Sequence, residues 1–155
     1  MATPDFVIAL REKIGHMPLW LSGVTAVVLR DDEVLLVRRA DNGAWTPVTG
    51  IVDPGEQPAA AAERETLEEA NIVAIAEAVT WVQVTQPVTY ENGDVSQYID
   101  LVFKCGYVSG DPFPADGENS EVRWFALDAL PPMSPNMLER VRTAVEFDGV
   151  TRFER

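Results

Sequence analysis

Residues 50–72, GIVDPGEQPAAAAERETLEEANI, combine a turn-rich loop with a short run of regularly spaced glutamates. The Asp-Pro-Gly sequence at 53–55 is typical of a turn. If the following segment is helical, Glu65, Glu68 and Glu69 lie on one face, because they are spaced i, i+3 and i+4. Like charges at this spacing cost roughly 0.2–0.5 kcal/mol per exposed pair, whereas Mg2+ and Mn2+ prefer oxygen ligands. The segment therefore predicts a loop, a helix and a divalent-metal site in one unit.

The limits of this helix can be predicted from its own residues. Pro58 suits the first helical turn, where a missing N–H costs little, and the alanines at 59–62 are strong helix formers. Asn71 tolerates the left-handed backbone conformation that often ends a helix. Arg64 precedes Glu68 by four residues and supplies a counter-charge to the glutamates. We therefore expect a helix that begins near Pro58 and ends near Asn71.

The same segment resembles the signature of the Nudix hydrolases, the MutT-like family. The positions that match the signature are, in chain order, Gly50, Glu56, Arg64, Glu65, Glu68, Glu69 and Ile72. Two positions depart from it: Thr66 replaces an apolar residue, and Asn71 replaces a glycine. Neither change removes a carboxylate, so metal binding is not placed in doubt.

The resemblance implies hydrolysis of a diphosphate bond in a nucleoside diphosphate linked to another group. A nucleoside triphosphate or an ADP-ribose-like molecule would be such a substrate, with Mg2+ as the implied cofactor and Mn2+ as its alternative. The implied metal ligands are Gly50 through its carbonyl, Glu56, Glu65, Glu68 and Glu69. The implied catalytic residues are the three helix glutamates, Arg64, which would orient them, and Glu118.

The general base is left open between a glutamate of the helix and an acid in a later loop. Glu118 lies six residues before Trp124, in a loop that the resemblance places near the metals, and Glu121 is its competitor. A base needs only to reach the attacking water, so we expect Glu118 to serve. Arg38 and Arg39 are candidates for binding a substrate phosphate. Adjacent strand residues point to opposite faces, so at most one of them faces the substrate.

Other functions remain open. Pro87 and Tyr90 lie near the spacings from Ile72 that the resemblance associates with ADP-ribose and with dinucleoside polyphosphates, so neither substrate is singled out. A prenyl diphosphate isomerase on the same scaffold would need a reactive cysteine, and Cys105 lies in an apolar segment that favours a buried, inert thiol. A non-catalytic nucleotide-binding module would often have lost the carboxylates that this chain keeps.

Composition limits the class of protein. At 155 residues the chain is expected to form one domain over residues 1–155. A formal net charge of −13 argues against binding nucleic acid or an anionic membrane, and no apolar run is long enough to span one. One cysteine and no secretory signal favour the cytoplasm. A small-molecule nucleotide is the expected partner, and a homodimer is possible.

The order of apolar and turn segments predicts an α/β fold, a Nudix-type α/β/α sandwich with a mixed β-sheet. The predicted core is 20–130, after a helical extension at 1–19 and before a helix at 134–147. The extension could pack on the domain or on a partner subunit. Strands are predicted at 24–29 and 34–37, which form a hairpin, and at 72–84, 98–107 and 122–126. The C-terminal helix is expected to bury the face that carries Met137, Leu138, Val141 and Val145.

Overall fold

The computed structural model describes residues 3–155, in which three helices and nine strands are present. The helices are α1 (Asp5–Ile14), α2 (Pro58–Ala70) and α3 (Pro135–Val145). The strands are β1 (Leu19–Arg30), β2 (Glu33–Arg39), β3 (Trp45–Thr46), β4 (Val48–Ile51), β5 (Val73–Val84), β6 (Val88–Thr89), β7 (Val95–Ser109), β8 (Asn119–Ala126) and β9 (Arg152–Phe153). The first two residues of the predicted extension lie outside the described residues.

The sheet is mixed, as the sequence predicts. Its main path runs β3-β2-β1-β7-β5-β9, with β4 paired to β1, β6 to β7 and β8 to β2. β1 and β7 run parallel from Leu19↔Ser96 to Leu29↔Gly106, whereas β5 is antiparallel to β7. The predicted hairpin is present, with Leu29 of β1 paired to Val34 of β2. The earlier part of β1, at residues 23–26, pairs with β4 instead.

Apolar cores on both faces of the sheet make the fold a sandwich. Even-numbered residues of β1, such as Val24, pack with Ala61 of α2, whereas the odd-numbered Val27 packs with Val141 of α3. The two helices therefore cover opposite faces, because side chains alternate along a strand. Among the described residues, no helix is long and apolar enough to cross a membrane.

Helix α1 packs on the domain itself, on the same face as α3. Val7 is buried in a small cluster with Leu21 of β1 and Ile51 of β4. Leu21 is odd-numbered like Val27, so both point to the α3 face. His16 follows the helix and remains at the surface, where its Nδ1 lies 2.8 Å from a carboxylate oxygen of Asp94.

The buried face of α3 differs from the predicted one. Val141 is buried as expected, but Leu138 and Val145 are 38% and 39% exposed. Arg140 and Ala144 are buried instead. Hydropathy alone assigns the face wrongly, because a buried arginine held by polar partners takes a position that an apolar residue was expected to fill.

The two departures from the signature are explained by helix α2. Asn71 ends the helix in the left-handed conformation, at φ 57°, and its N–H donates to the Leu67 carbonyl. Thr66 is fully buried, and its hydroxyl donates to the Ala62 carbonyl at 2.7 Å. A buried hydroxyl with a partner costs little, so threonine is tolerated at this apolar position.

Candidate functional site

Glu65, near the centre of helix α2, packs against strand β4. Glu65 is only 4% exposed, and its carboxylate lies where a side chain on Gly50 would be. An ideal Cβ on Gly50 would stand 2.6 Å from Glu65 Oε1. Any larger residue at position 50 would therefore displace the Glu65 carboxylate.

Arg64 holds the carboxylates of the loop and the helix together. It donates to Glu56 through both Nε (2.8 Å) and Nη2 (3.0 Å), and its Nη1 donates to Glu65 (2.9 Å) and Glu68 (3.1 Å). A further hydrogen bond from Nη2 reaches the Ile51 carbonyl at 3.3 Å. The planar guanidinium can make these bonds at once, which a lysine could not.

Glu56 is engaged in this network on both of its oxygens. Besides Arg64, it accepts a hydrogen bond from the Asp53 N–H at 3.0 Å. Arg64 and this backbone bond hold the pKa of Glu56 below its ordinary value. Its geometry suits a residue that fixes the loop and Arg64, and its service as a metal ligand stays a prediction.

A second group of carboxylates forms where the loop before β8 meets the end of α2. Oxygens of Glu69, Asp116 and Glu118 all lie within 4.8 Å of one another. Asn119 donates to Glu69 at 3.1 Å and helps to fix it. Each of the three residues offers a carboxylate oxygen as a metal ligand, so the group fits a hard divalent cation.

The loop before β8 donates hydrogen bonds to carbonyls in the last turn of α2. The Phe113 N–H donates to Ala70 O (3.1 Å), and the Ala115 N–H donates to Glu69 O (3.4 Å). At its far end, the Glu118 carbonyl accepts from the Ala40 N–H at 2.9 Å. These contacts satisfy helix-end carbonyls and carry the loop acids to α2.

Both groups of carboxylates face a common space. A cavity of about 410 Å³ is lined by Arg64, Glu65 and Glu68 on one side and by Asp116 on the other, with the start of α1 at Asp5 beside them. Burial raises the pKa of Glu65 to about 7 against the opposing effect of Arg64, and it also raises the pKa of Glu69. Buried carboxylates that resist ionisation indicate a site that a cation would stabilise.

The structure separates the two candidate arginines. Arg38 is directed to the surface, where it pairs with Glu121 at 2.8 Å. Arg39 pairs with Asp41 and lines a large cavity, together with Gly50 and Glu118. Of the two, Arg39 is the one placed to meet a substrate.

The same comparison separates the two candidate bases. Glu118 belongs to the carboxylate group around Glu69, whereas the Glu121 carboxylate is occupied by Arg38 and Arg123. Those arginines hold the pKa of Glu121 below its ordinary value, Arg38 having the larger effect. The geometry is favourable for Glu118 and unfavourable for Glu121.

The large cavity has a volume of about 880 Å³ and lies between α1 and α3. Arg39 and Glu118 stand at its metal end, near Glu69. Gly50, Asp100 and Arg140 also line it. A cleft of this size accommodates a nucleotide-sized molecule.

Sequence reasoning missed Asp116, Asn119, Asp100 and Arg140. Asp116 and Asn119 carry a weak signal, since they flank the predicted base in a turn-rich loop of polar residues. Asp100 also carries a signal, as a lone acid within the apolar run YIDLVF. Arg140 has no comparable signal, because charged residues on an amphipathic helix usually face solvent.

Comparisons with known proteins agree with this fold. The NUDIX domain family profile matches residues 20–144. A MutT-like protein of Streptomyces ambofaciens is 33% identical over 114 residues, which cover 73% of this chain and 68% of the relative. The NAD-capped RNA hydrolase NudC of Pseudomonas aeruginosa is 33% identical over 122 residues, 77% of this chain, although the chain spans only 41% of the length of that relative.

Solved structures with low sequence identity share the fold. A UDP-X diphosphatase superimposes with a TM-score of 0.70 at 22% identity, covering 99% of this chain and 75% of the other. An ADP-ribose pyrophosphatase from Streptococcus suis superimposes with a TM-score of 0.63 at 23% identity, covering 86% and 98%. The family profile spans most of this chain, and these solved structures share its fold. The chain therefore belongs to the Nudix hydrolase family.

Proposed function

We propose that this protein is a divalent-metal-dependent hydrolase that cleaves the diphosphate bond of a nucleoside diphosphate linked to another group. The observation that carries the proposal is the set of carboxylates of Glu69, Asp116 and Glu118 within 4.8 Å of one another. Glu118 from this set also lines the cleft that contains Gly50 and Arg39. A binding site for metal thus adjoins a cleft that can hold a nucleotide.

The proposed roles are those that the family signature implies, and the hydrogen bonds of Arg64 support them. Glu65, Glu68 and Glu69 bind Mg2+ or Mn2+, with the Gly50 carbonyl and Glu56 as further ligands. When bound, such an ion neutralises phosphate charge and lowers the pKa of its water. Arg64 keeps the carboxylates in place.

Two residues at the cleft act on the substrate and on water. Glu118 accepts a proton from the attacking water, since it lies beside Glu69. Arg39 binds an anionic oxygen of the substrate phosphates at the metal end of the cleft.

The substrate class is supported by the names of similar proteins. NAD-capped RNA hydrolase, ADP-ribose pyrophosphatase and UDP-X diphosphatase are named for substrates in which a nucleoside diphosphate carries a second group. This chemistry is common to nucleoside triphosphates and ADP-ribose-like molecules, so the proposal is made for the class.

A dinucleoside polyphosphate is the second candidate substrate. Tyr90 lines the large cavity, and its hydroxyl lies 2.6 Å from that of Tyr98. An aromatic ring in this position can stack on a second base. Pro87, by contrast, does not line the cavity.

The isomerase alternative is disfavoured by the state of the only cysteine. Cys105 is 1% exposed within the apolar core, and burial raises the pKa of its thiol to about 12. A neutral, buried thiol is a poor nucleophile and a poor acid at pH 7.

The test is a hydrolysis panel with Mg2+ and with Mn2+. It contains nucleoside triphosphates, ADP-ribose, nucleotide sugars and dinucleoside polyphosphates, assayed with the wild type, Glu69→Gln and the control Glu12→Gln, which changes an exposed acid on α1. We expect metal-dependent turnover that Glu69→Gln loses and Glu12→Gln keeps. Nucleotide binding without turnover of any panel member would instead support a non-catalytic module.

A further inference from the structure

A buried ion pair forms part of the wall of the large cavity. Asp100 of β7 and Arg140 of α3 are 3% and 6% exposed, and Arg140 Nη1 lies 3.3 Å from Asp100 Oδ2. Both residues line the cavity. Burying two charges is costly even when they are paired, and apolar residues of similar volume often serve stability as well. The pair therefore calls for an explanation beyond packing.

Three neutral side chains complete a ring that fixes the direction of Arg140. Its Nε donates to Asn136 (2.9 Å), Asn136 donates to Gln83 (2.8 Å), and Gln83 donates to Asp100 (3.3 Å). Thr25 closes the ring by accepting from Arg140 Nη1 at 2.8 Å and donating to Asp100. A connected network of this kind holds its members rigidly.

One nitrogen of Arg140 donates no hydrogen bond within this ring. Among the residues that the structure describes, nothing accepts a hydrogen bond from the second terminal nitrogen of Arg140, Nη2. Nor is Nη2 among the polar atoms that are sealed from solvent without a partner. Since Arg140 lines the cavity, this nitrogen is available to a ligand there. A purely structural arginine would be expected to use it.

The charge around this donor decides what kind of group it suits. Asp100 neutralises Arg140, so the pair offers little net attraction for a phosphate. Arg39, at the metal end of the same cleft, is the arginine placed for phosphates. The group at Arg140 is therefore an uncharged hydrogen-bond acceptor, and in a nucleotide the carbonyl oxygens of the base are acceptors that carry no proton of their own to donate.

We propose that Arg140 determines base specificity by donating from Nη2 to an exocyclic carbonyl oxygen of the nucleobase. Guanine, hypoxanthine and uracil carry such an oxygen, whereas adenine presents an amino group at the corresponding edge. Arginine has only donors, so an amino group at this place would leave two donors facing each other. A site built for one hydrogen-bonding group rejects the analogue that lacks it, because a buried polar group is then left unpaired. The inference rests on the proposed function for the identity of the substrate as a nucleotide.

The first test compares inosine and adenosine compounds with the wild-type protein. Hypoxanthine differs from adenine by a 6-oxo in place of the 6-amino group and by the proton on N1, so the phosphates and sugar are matched. With metal present, we expect a kcat/KM about tenfold higher for inosine triphosphate or inosine diphosphate-ribose than for the adenosine compounds. Equal values, or a preference for adenosine, would overturn the proposal.

A binding experiment separates this inference from the proposed function. Inosine and adenosine monophosphates are titrated into metal-free protein, with the intrinsic tryptophan fluorescence as the readout, since Trp45, one of four tryptophans, lines the cavity. Tighter binding of inosine monophosphate supports the role of Arg140 even if no compound is hydrolysed. Absence of hydrolysis by itself would count against the hydrolase proposal alone.

The variant Arg140→Lys keeps the charge but cannot occupy the positions of Nε, Nη1 and Nη2 together. We expect it to remove the preference for inosine, mainly by raising KM for the inosine compounds. Arg142→Lys is the matched control, since Arg142 lies on the same helix, is exposed and pairs with Glu139. Retention of the inosine preference in folded Arg140→Lys would contradict the proposal, and if that variant does not fold, the wild-type comparison decides.

Discussion

The Glu65 side chain fills the space that a side chain on Gly50 would need: an ideal Cβ on Gly50 would lie 2.2 Å from Cγ of Glu65 and 2.4 Å from its Cδ. Gly50 is therefore required for the packing of strand β4 on helix α2, independently of any backbone conformation special to glycine. The Glu65 carboxylate is also tied to Arg64, so a displacement would reach the whole network.

Gly50→Ala is predicted to displace the Glu65 carboxylate and to lower turnover about 100-fold, because small misplacements of catalytic groups have effects of this size. Calorimetric titration with Mn2+ should show weaker binding. Gly55→Ala serves as the control, since Gly55 has φ +85° but no atom within 4 Å of a built Cβ. It should lose some stability and keep its metal affinity; equal loss in both variants would argue against displacement of Glu65.

Arg64→Lys is predicted to lower metal affinity or turnover by about 10- to 100-fold, as is usual for residues that orient metal ligands. Lysine cannot make the two-nitrogen contact with Glu56 while reaching Glu65 and Glu68. Steady-state kinetics over a range of Mg2+ concentrations would measure the effect. If the variant matched Arg142→Lys, whose arginine is exposed on α3, the bridging role of Arg64 would be wrong.

Much of the local structure of the site can be predicted from sequence. The start of α2 at Pro58 and its end at Asn71 depend on residues within the segment, and both agree with the structure. The mixed sheet also follows from the order of its strands. By contrast, the approach of Asp116 to Glu69 depends on a loop docked on the end of a distant helix, which no local pattern encodes.

The burial of Arg140 shows the same limit. Its position on α3 would predict an exposed residue, and only the polar ring formed by strands β1, β5 and β7 with α3 makes burial tolerable. Partners of this kind come together only when the chain folds, so they leave no periodic signal.

Glu65 predicts a pH-dependent stability of the metal-free protein. Burial raises its pKa to about 7 from an ordinary 4.5. Between these two pH values, the folded state therefore holds a proton that the unfolded state has released. The stability that this group contributes is fully present below about pH 4.5 and is lost as pH rises through about 7. Glutamine imitates the protonated form at every pH.

Thermal unfolding in EDTA should therefore favour Glu65→Gln over the wild type more strongly at pH 8 than at pH 5. Added Mn2+ should reverse the order at pH 8 by stabilising the wild type alone. A difference in Tm between the two proteins that does not change with pH would show that Glu65 titrates normally.

Glu118→Gln and Glu121→Gln are predicted to differ sharply. The first removes an acid beside Glu69 and should lower kcat by about 10²- to 10⁴-fold, as loss of a general base does. The second removes a half-buried partner of Arg38 and should leave kcat nearly unchanged. A pH–rate profile of Glu118→Gln should also lose its acidic limb; comparable kinetics for both variants would exclude Glu118 as the base.

The two adjacent arginines provide the last prediction. Arg39 lines the cleft beside Glu118, and Asp41 holds its guanidinium by two hydrogen bonds at 3.0 and 2.6 Å. Arg39→Ala should therefore raise KM by about tenfold, since it removes a charge-assisted contact to the substrate. Arg38→Ala loses a surface ion pair with Glu121 and a hydrogen bond to the Gly43 carbonyl, and it should change KM by less than about twofold. The KM values of both variants are measured from initial rates at saturating metal. A larger effect of Arg38→Ala than of Arg39→Ala would mean that β2 presents its opposite face to the substrate.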